Sequence, residues 1–281
     1  MIYVAVLFVI LSGLIHSIWN LFTKKSVNKS VFLWFCQIAA VLIFLPTFVY
    51  EMRHVESIPL AGIALIVCSV ITHGIYSVLL ARTYVIGDLS QVYPIMRGIS
   101  PLFVPLIGVL ILNEHLSFLG WIGIVGIVIG IFIASDFKFN RINNATMKPI
   151  LLAIIVGSMI TMYTVIDKLS LQYVSPFVLN EITNVGNFLA LSLVIFRSTG
   201  IGHEWKVNWK MILLGGLLAP GGYVLFLHAV NLMPVSQIAP MREIGTVFGT
   251  LFGILLLHEK QGATRIAASI IITAGVITLS L

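Results

Sequence analysis

Long apolar stretches, each close to a membrane's width when coiled and separated by short polar breaks, run the length of the chain. They predict helices over Ile2–Thr23, Ser30–Tyr50, Pro59–Ala81, Leu89–Leu112 and Leu116–Ser135, and again over Lys148–Lys168, Ser175–Arg197, Trp209–Asn231, Val235–Leu257 and Gly262–Leu281. A helix of roughly 20 apolar residues crosses the hydrocarbon core, and it can do so because every backbone N–H and C=O is satisfied internally. The pattern therefore predicts an all-α integral membrane protein of about ten transmembrane helices. The most polar stretch, Asp136–Met147, separates a first unit over residues 1–135 from a second over 148–281.

The two units repeat each other. In the first, Tyr76 is followed by Ser90-Gln91, Pro94-Ile95-Met96-Arg97, Phe103 and Asn113-Glu114; in the second, Tyr223 leads to Ser236-Gln237, Pro240-Met241-Arg242, Phe248 and His258-Glu259. The spacing from Arg to Glu is identical in both. Two unrelated greasy segments would not share their polar positions, so the chain is read as an internal duplication. Five crossings per unit is an odd number, which places the second copy upside down relative to the first.

Charge supports the inversion. Of the 16 Lys and Arg, 12 fall in loops after the first, third, fifth, seventh and ninth helices, from Lys24, Lys25 and Lys29 to Lys260 and Arg265, whereas the other loops hold only Arg53 and Lys168. The basic loop after helix one thus corresponds to a nearly neutral one after helix six. Read by the positive-inside rule, both termini lie on the outer face. No basic n-region precedes the first apolar run, so a removable signal peptide is not expected.

Composition narrows the function. Hydrophobic residues make up 59% of the 281 and charged ones 9%, with a mean hydropathy of +1.09, which leaves no room for a soluble domain beside the helices. The net charge of +6 is scattered through loops rather than gathered on one face, so a nucleic-acid partner is not expected. Cys36 and Cys68 lie far apart in apolar runs, which suits packing rather than a disulfide or metal site. No G-x-x-x-x-G-K-[ST] loop is present, so the chain itself does not hydrolyse ATP.

His16-Ser-Ile-Trp-Asn20 with Lys24-Lys25, the segment Asp88-Leu-Ser-Gln-Val-Tyr-Pro-Ile-Met-Arg-Gly98, and the helix-end residues Glu114 and Glu259 resemble the drug/metabolite transporter superfamily, specifically its ten-helix members with two EamA-type repeats. The resemblance covers nearly the whole chain. It implies alternating-access transport, often export of metabolites, amino acids or drugs, through a cavity between the halves. Well-studied relatives are drawn with cytoplasmic termini, and the charge pattern here departs from that.

Candidate site residues follow from the cost of polar groups in lipid. An ionisable side chain at membrane depth costs about 2.5–3.5 kcal/mol on the lenient insertion scale, so it normally faces a cavity or a partner. Arg97, Arg242 and Glu243 lie deepest, and a guanidinium can hold a carboxylate or phosphate with paired hydrogen bonds. The competing reading has Glu243 neutralise Arg242, or each Arg bond carbonyls freed by Pro94, Pro101, Pro105 and Pro240. With three prolines, helix four is not expected to be straight. His16, Trp19 and Asn20 on helix one, and Asn180, Glu181, Asn184 and Asn187 on helix seven, are further candidates; the three asparagines share one face. Tyr76, Tyr93, Tyr163 and Tyr223 can stack on or bond a ligand, or simply pack. His16, His73, Glu181 and Glu243 are able to exchange a proton, although packing is the competing role for His73 and His228. Glu114 and Glu259 suit capping or gating. Gly245, Gly249 and Gly253, and Gly126 and Gly130, mark close helix approaches.

The expected function is a secondary transporter, first as an exporter and alternatively as an importer, of a small polar, zwitterionic or anionic metabolite across the cell membrane, with a membrane-embedded enzyme as the remaining alternative. Its partners are that solute, the bilayer and protons as a possible coupling ion, with monomer and homodimer both open. No cofactor, metal or catalytic residue is expected, because no helix carries nucleophile–base or ligand spacing.

Overall fold

The computed structural model describes residues 2–55, 57–86, 89–134, 144–196, 201–257 and 263–280. Asp88, Lys138, Arg141, Arg197, His258, Glu259 and Lys260 lie outside these, as do the side chains of Lys24, Ser90 and Gln91. All regular structure among the described residues is helical: α1 (Ile2–Lys25), α2 (Lys29–Met52), α3 (Leu60–Ile86), α4 (Leu89–Leu110), α5 (Phe118–Ala134), α6 (Asn144–Ser170), α7 (Pro176–Ile195), α8 (Ile201–Leu232), α9 (Val235–Met241), α10 (Ile244–Leu257) and α11 (Ala263–Ser280).

Nine segments among the described residues are long and apolar enough to cross a membrane, α9 and α10 together forming one of them; α5 is a shorter apolar helix. The chain is a multi-pass membrane protein. Its outward surface fits that solvent, with Leu42, Leu60, Leu110, Leu193, Phe196 and Ile270 exposed. The starts of α2 and α7 are set locally. Asn28 accepts from the Val31 N–H and Ser175 from the Val178 N–H, with Pro176 placed where its missing donor costs nothing.

The two repeats are interleaved rather than side by side. α1 packs on α8 and α10, α3 on α6 and α7, α4 on α6 and α9, α2 on α7 and α8, and α5 on α11. Exchanging the repeats maps this scheme onto itself: α1 with α8 becomes α6 with α3, and α2 with α7 and α5 with α11 are their own counterparts. That symmetry is what two related five-crossing units require.

Two elements depart from the sequence expectation. The ninth crossing, expected as one helix over Val235–Leu257, breaks between α9 and α10. Pro240 lacks a donor, and the N–H groups of Glu243, Gly245 and Thr246 reach back three residues instead of four, which overwinds the turn carrying Arg242 and Glu243. Helix four, by contrast, runs unbroken through Pro94, Pro101 and Pro105. The eighth crossing begins earlier than expected. Ile201–Asn208 is helical with a kink at Asn208, and the buried Glu204 carboxylate within it accepts the Asn28 N–H and the Asn208 amide, both at 2.6 Å.

Candidate functional site

Arg97 on α4 and Glu243 at the α9–α10 corner meet across the repeat boundary. Nη2 lies 3.0 Å from Oε1, and Nε donates to Oε2 at 3.1 Å, a two-pronged pair with both side chains largely shielded. This corrects the reading in which Glu243 neutralises Arg242. Arg242 instead stacks its guanidinium over the rings of Phe226, at 4.5 Å, and Tyr223, at 5.3 Å, and its buried Nε has no hydrogen-bond partner. The two arginines match in the repeat, yet among the described residues only Arg97 has a carboxylate in bonding contact.

Arg97 forms part of the wall of a cavity of about 60 Å³, together with His16, Trp19 and Asn20 of α1, Tyr76 of α3 and Tyr93 of α4. Trp19 Nε1 donates to His16 Nδ1 at 3.2 Å, which fixes the two rings edge to face.

Below Tyr76 a second polar centre surrounds Asp167 of α6, which is 1% exposed. Ser69 Oγ donates to Oδ1 at 2.5 Å, His73 Nε2 stands 3.0 Å from Oδ2, and the Tyr223 phenol donates to Oδ2. Tyr163 stacks on the His73 ring at 4.0 Å and meets Tyr76 edge-on at 5.4 Å. An unbroken run of polar and aromatic side chains therefore links the α1 hollow to Asp167, and through Tyr223 to Arg242.

The amino-acid sequence matches the EamA-like transporter family model twice, over residues 3–136 and 147–281. The chain belongs to the EamA-like transporter family. Among proteins similar to it are a candidate sugar uptake protein of Listeria innocua, 27% identical over 64% of each chain, and a second from Listeria monocytogenes, 25% identical over the same shares. An uncharacterized transporter of Methanothermobacter thermautotrophicus is 24% identical over 69% of this chain and 58% of its own. The chain thus spans a little under two thirds of the length of these curated relatives. One solved crystal structure superposes with a TM-score of 0.80 at 13% identity, covering 98% of this chain and 95% of its own, which shows a shared fold.

Within this EamA fold the sequence candidates divide into two groups. His16, Trp19, Asn20, Tyr76, Tyr93 and Arg97 line the hollow, and Glu243, Tyr223 and Arg242 adjoin it through the contacts above. Asn180, Glu181 and Asn184 are buried on α7, which packs against α2, α3 and α8, and none lines that hollow. Asn184 Nδ2 donates to Glu181 Oε2 at 3.4 Å, while Glu181 Oε1 and Asn180 Nδ2 lack partners. Asn187 accepts from Ser77 at 2.8 Å. His228 is a packing residue, its Nδ1 on the Val224 carbonyl and its ring between Phe8 and Phe177.

Asp167 is the residue that sequence reasoning missed. With the sixth helix expected to end at Lys168, the neighbouring Asp and Lys look like an interfacial pair in water. The helix runs on to Ser170, and the two side chains part: Lys168 Nζ donates to the Val230 and Met233 carbonyls at the end of α8. Glu114 takes a capping role at the adjoining turn, accepting the Val235 and Ser236 N–H groups at 2.9 and 2.8 Å. Asn113, at φ 54°, turns the chain to bring it there, and Gly108 leaves room, since a Cβ would lie 2.7 Å from the Glu114 carboxylate.

Proposed function

We propose that this chain is a secondary transporter that carries a small polar solute between the faces of the bilayer by alternating access. The observation that carries the reading is the Arg97–Glu243 pair, a buried fork-to-fork contact joining the two repeats at the wall of a polar, aromatic-lined hollow. Such a contact can be made in one arrangement of the repeats and surrendered in another. Solute pockets measure roughly 300–1,000 Å³, so the hollow of about 60 Å³ calls for the repeats to move before a solute fits.

The solute class follows from charge. Arg97 is paired with Glu243, and the charge of Arg242 is offset by the Asp167 carboxylate behind Tyr223, so the wall offers paired positive and negative groups, the His16 and Asn20 side chains, and the rings of Trp19, Tyr76 and Tyr93. That set suits a neutral polyhydroxylated or a zwitterionic solute better than a bare anion. The sugar-uptake names of the two Listeria relatives support the polyhydroxylated class and the inward direction.

The test is a thermal-stability screen of purified protein against neutral sugars, zwitterionic amino acids and monocarboxylates, followed by flux in proteoliposomes. A solute that binds the folded state stabilises it by about 2.7 kcal/mol at 100 times its Kd. Stabilisation by a sugar or zwitterion is expected. Stabilisation by monocarboxylates alone would overturn the solute class, and undiminished flux in an Arg97→Ala/Glu243→Ala variant would overturn the site.

A further inference from the structure

Asp167 is a carboxylate deep in the bundle whose partners are a hydroxyl, a phenol and an imidazole. Lys168, its sequence neighbour, is committed to the α8 carbonyls. The other ionisable groups on the elements packed around α6 and α3 are also engaged elsewhere or stand apart. Arg97 of α4 is held by Glu243, and Arg242 lies on the Tyr223 and Phe226 rings. On α8, Glu204 takes Asn28 and Asn208, and His228 takes a backbone carbonyl. Glu181 of α7 bonds Asn184, and Tyr76, Tyr93 and Tyr163 contribute phenols. The basic group touching Asp167 is His73, 6% exposed.

We propose that Asp167 and His73 form a one-proton binding site that couples solute movement to the proton gradient, with Tyr223 as its link to the solute hollow. The proposal rests on the transporter reading above. With one proton on the pair, Asp167 and His73 carry no net charge and Arg242 is left as an uncompensated positive charge; when that proton leaves, the pair's negative charge offsets Arg242 and the group sums to zero, the balance that a dry interior favours. The arrangement with Arg242 over Tyr223 therefore balances without the proton, and one in which Arg242 is drawn away takes the proton up. Ser69 and Tyr223 aim donors at the carboxylate, whereas an alkali or alkaline-earth ion needs a shell of oxygen lone pairs, so the site does not suit such an ion and the position that exchanges the proton is the His73 ring. Tyr223 carries the linkage. Its hydroxyl is on Asp167 while its ring lies under Arg242, so a solute that draws Arg242 away shifts the ring and the hydrogen bond together.

Two measurements test this. In purified protein, infrared difference spectra between acid and alkaline pH are expected to contain coupled carboxyl and imidazole bands that vanish in both Asp167→Asn and His73→Asn. In proteoliposomes with an imposed pH gradient and a panel of labelled neutral hexoses and pentoses, accumulation by Asp167→Asn is expected to fall by at least an order of magnitude. Counterflow exchange of the same sugars, which needs no net proton movement, should stay measurable. An infrared change in Asp167→Asn identical to wild type would overturn the proton site, and gradient-driven accumulation equal to wild type would overturn the coupling. If wild type moves no sugar while the bands still depend on Asp167, the proton site stands and the solute class of the preceding section fails.

Discussion

Arg97 and Glu243 lie 146 positions apart in the chain and bond through both prongs of the guanidinium, at 3.0 and 3.1 Å, where the repeats meet. This contact ties the first repeat's unbroken proline-rich helix to the second repeat's broken one. The duplicated arginines have thereby taken different tasks: one is locked to a carboxylate, the other rests on aromatic rings.

Removing either partner of a buried pair strands a charge, at a cost of about 3–5 kcal/mol. Arg97→Ala and Glu243→Ala are therefore expected to lower the melting temperature of the purified protein, the reverse of an arginine that serves binding alone. The Arg97→Met/Glu243→Leu double variant should recover much of that stability while transport stays lost. A calorimetric or fluorescence melt of all three variants checks this.

Glu114 and Lys168 hold the two sides of the α8–α9 turn, the first on N–H groups that begin α9 and the second on carbonyls that end α8. Glu114→Ala is expected to cost about 1–2 kcal/mol, as loss of a helix cap does. Lys168→Met should cost about 1–3 kcal/mol by leaving buried carbonyls without a donor. A double-mutant cycle on denaturation midpoints should give a coupling outside error, since both act on one turn.

Glycines separate by what surrounds them. At Gly275 a Cβ would sit 2.6 Å from the Gly123 carbonyl, so Gly275→Ala must push α5 and α11 apart and is expected to cost about 1–3 kcal/mol. A Cβ at Gly249 would meet nothing within 4 Å, so Gly249→Ala should leave the melt within about 0.5 kcal/mol of wild type. This corrects the expectation of a close-approach stripe along helix nine: Gly245 abuts Gly13, and Gly249 does not continue the contact.

Tyr223 offers a division between ring and hydroxyl. Tyr223→Phe keeps the aromatic face beneath Arg242 and deletes the donor to Asp167, whereas Tyr223→Leu removes both. Flux assays are expected to show the Phe variant losing gradient-driven accumulation more than exchange, and the Leu variant losing both.

The membrane class, the number of crossings and the duplication were all legible in the sequence. Lipid demands an apolar run of set length for each crossing, and a repeat leaves its polar positions in register. Arg97, Arg242 and Glu243 were legible as interior groups for the same reason, since a charge at that depth must find a cavity or a partner. Which partner each found was decided by the tertiary structure alone. Neighbours in sequence suggested Glu243 with Arg242, but the overwound corner at Pro240 turns the two side chains apart and presents the carboxylate to α4. Asp167 was hidden because an Asp-Lys pair near an apolar boundary looks hydrated, until packing sends the lysine to α8 and the aspartate to His73. Helical periodicity says which residues share a face. The rotation of one helix against another, set by side-chain fit along the whole interface, decides what that face meets.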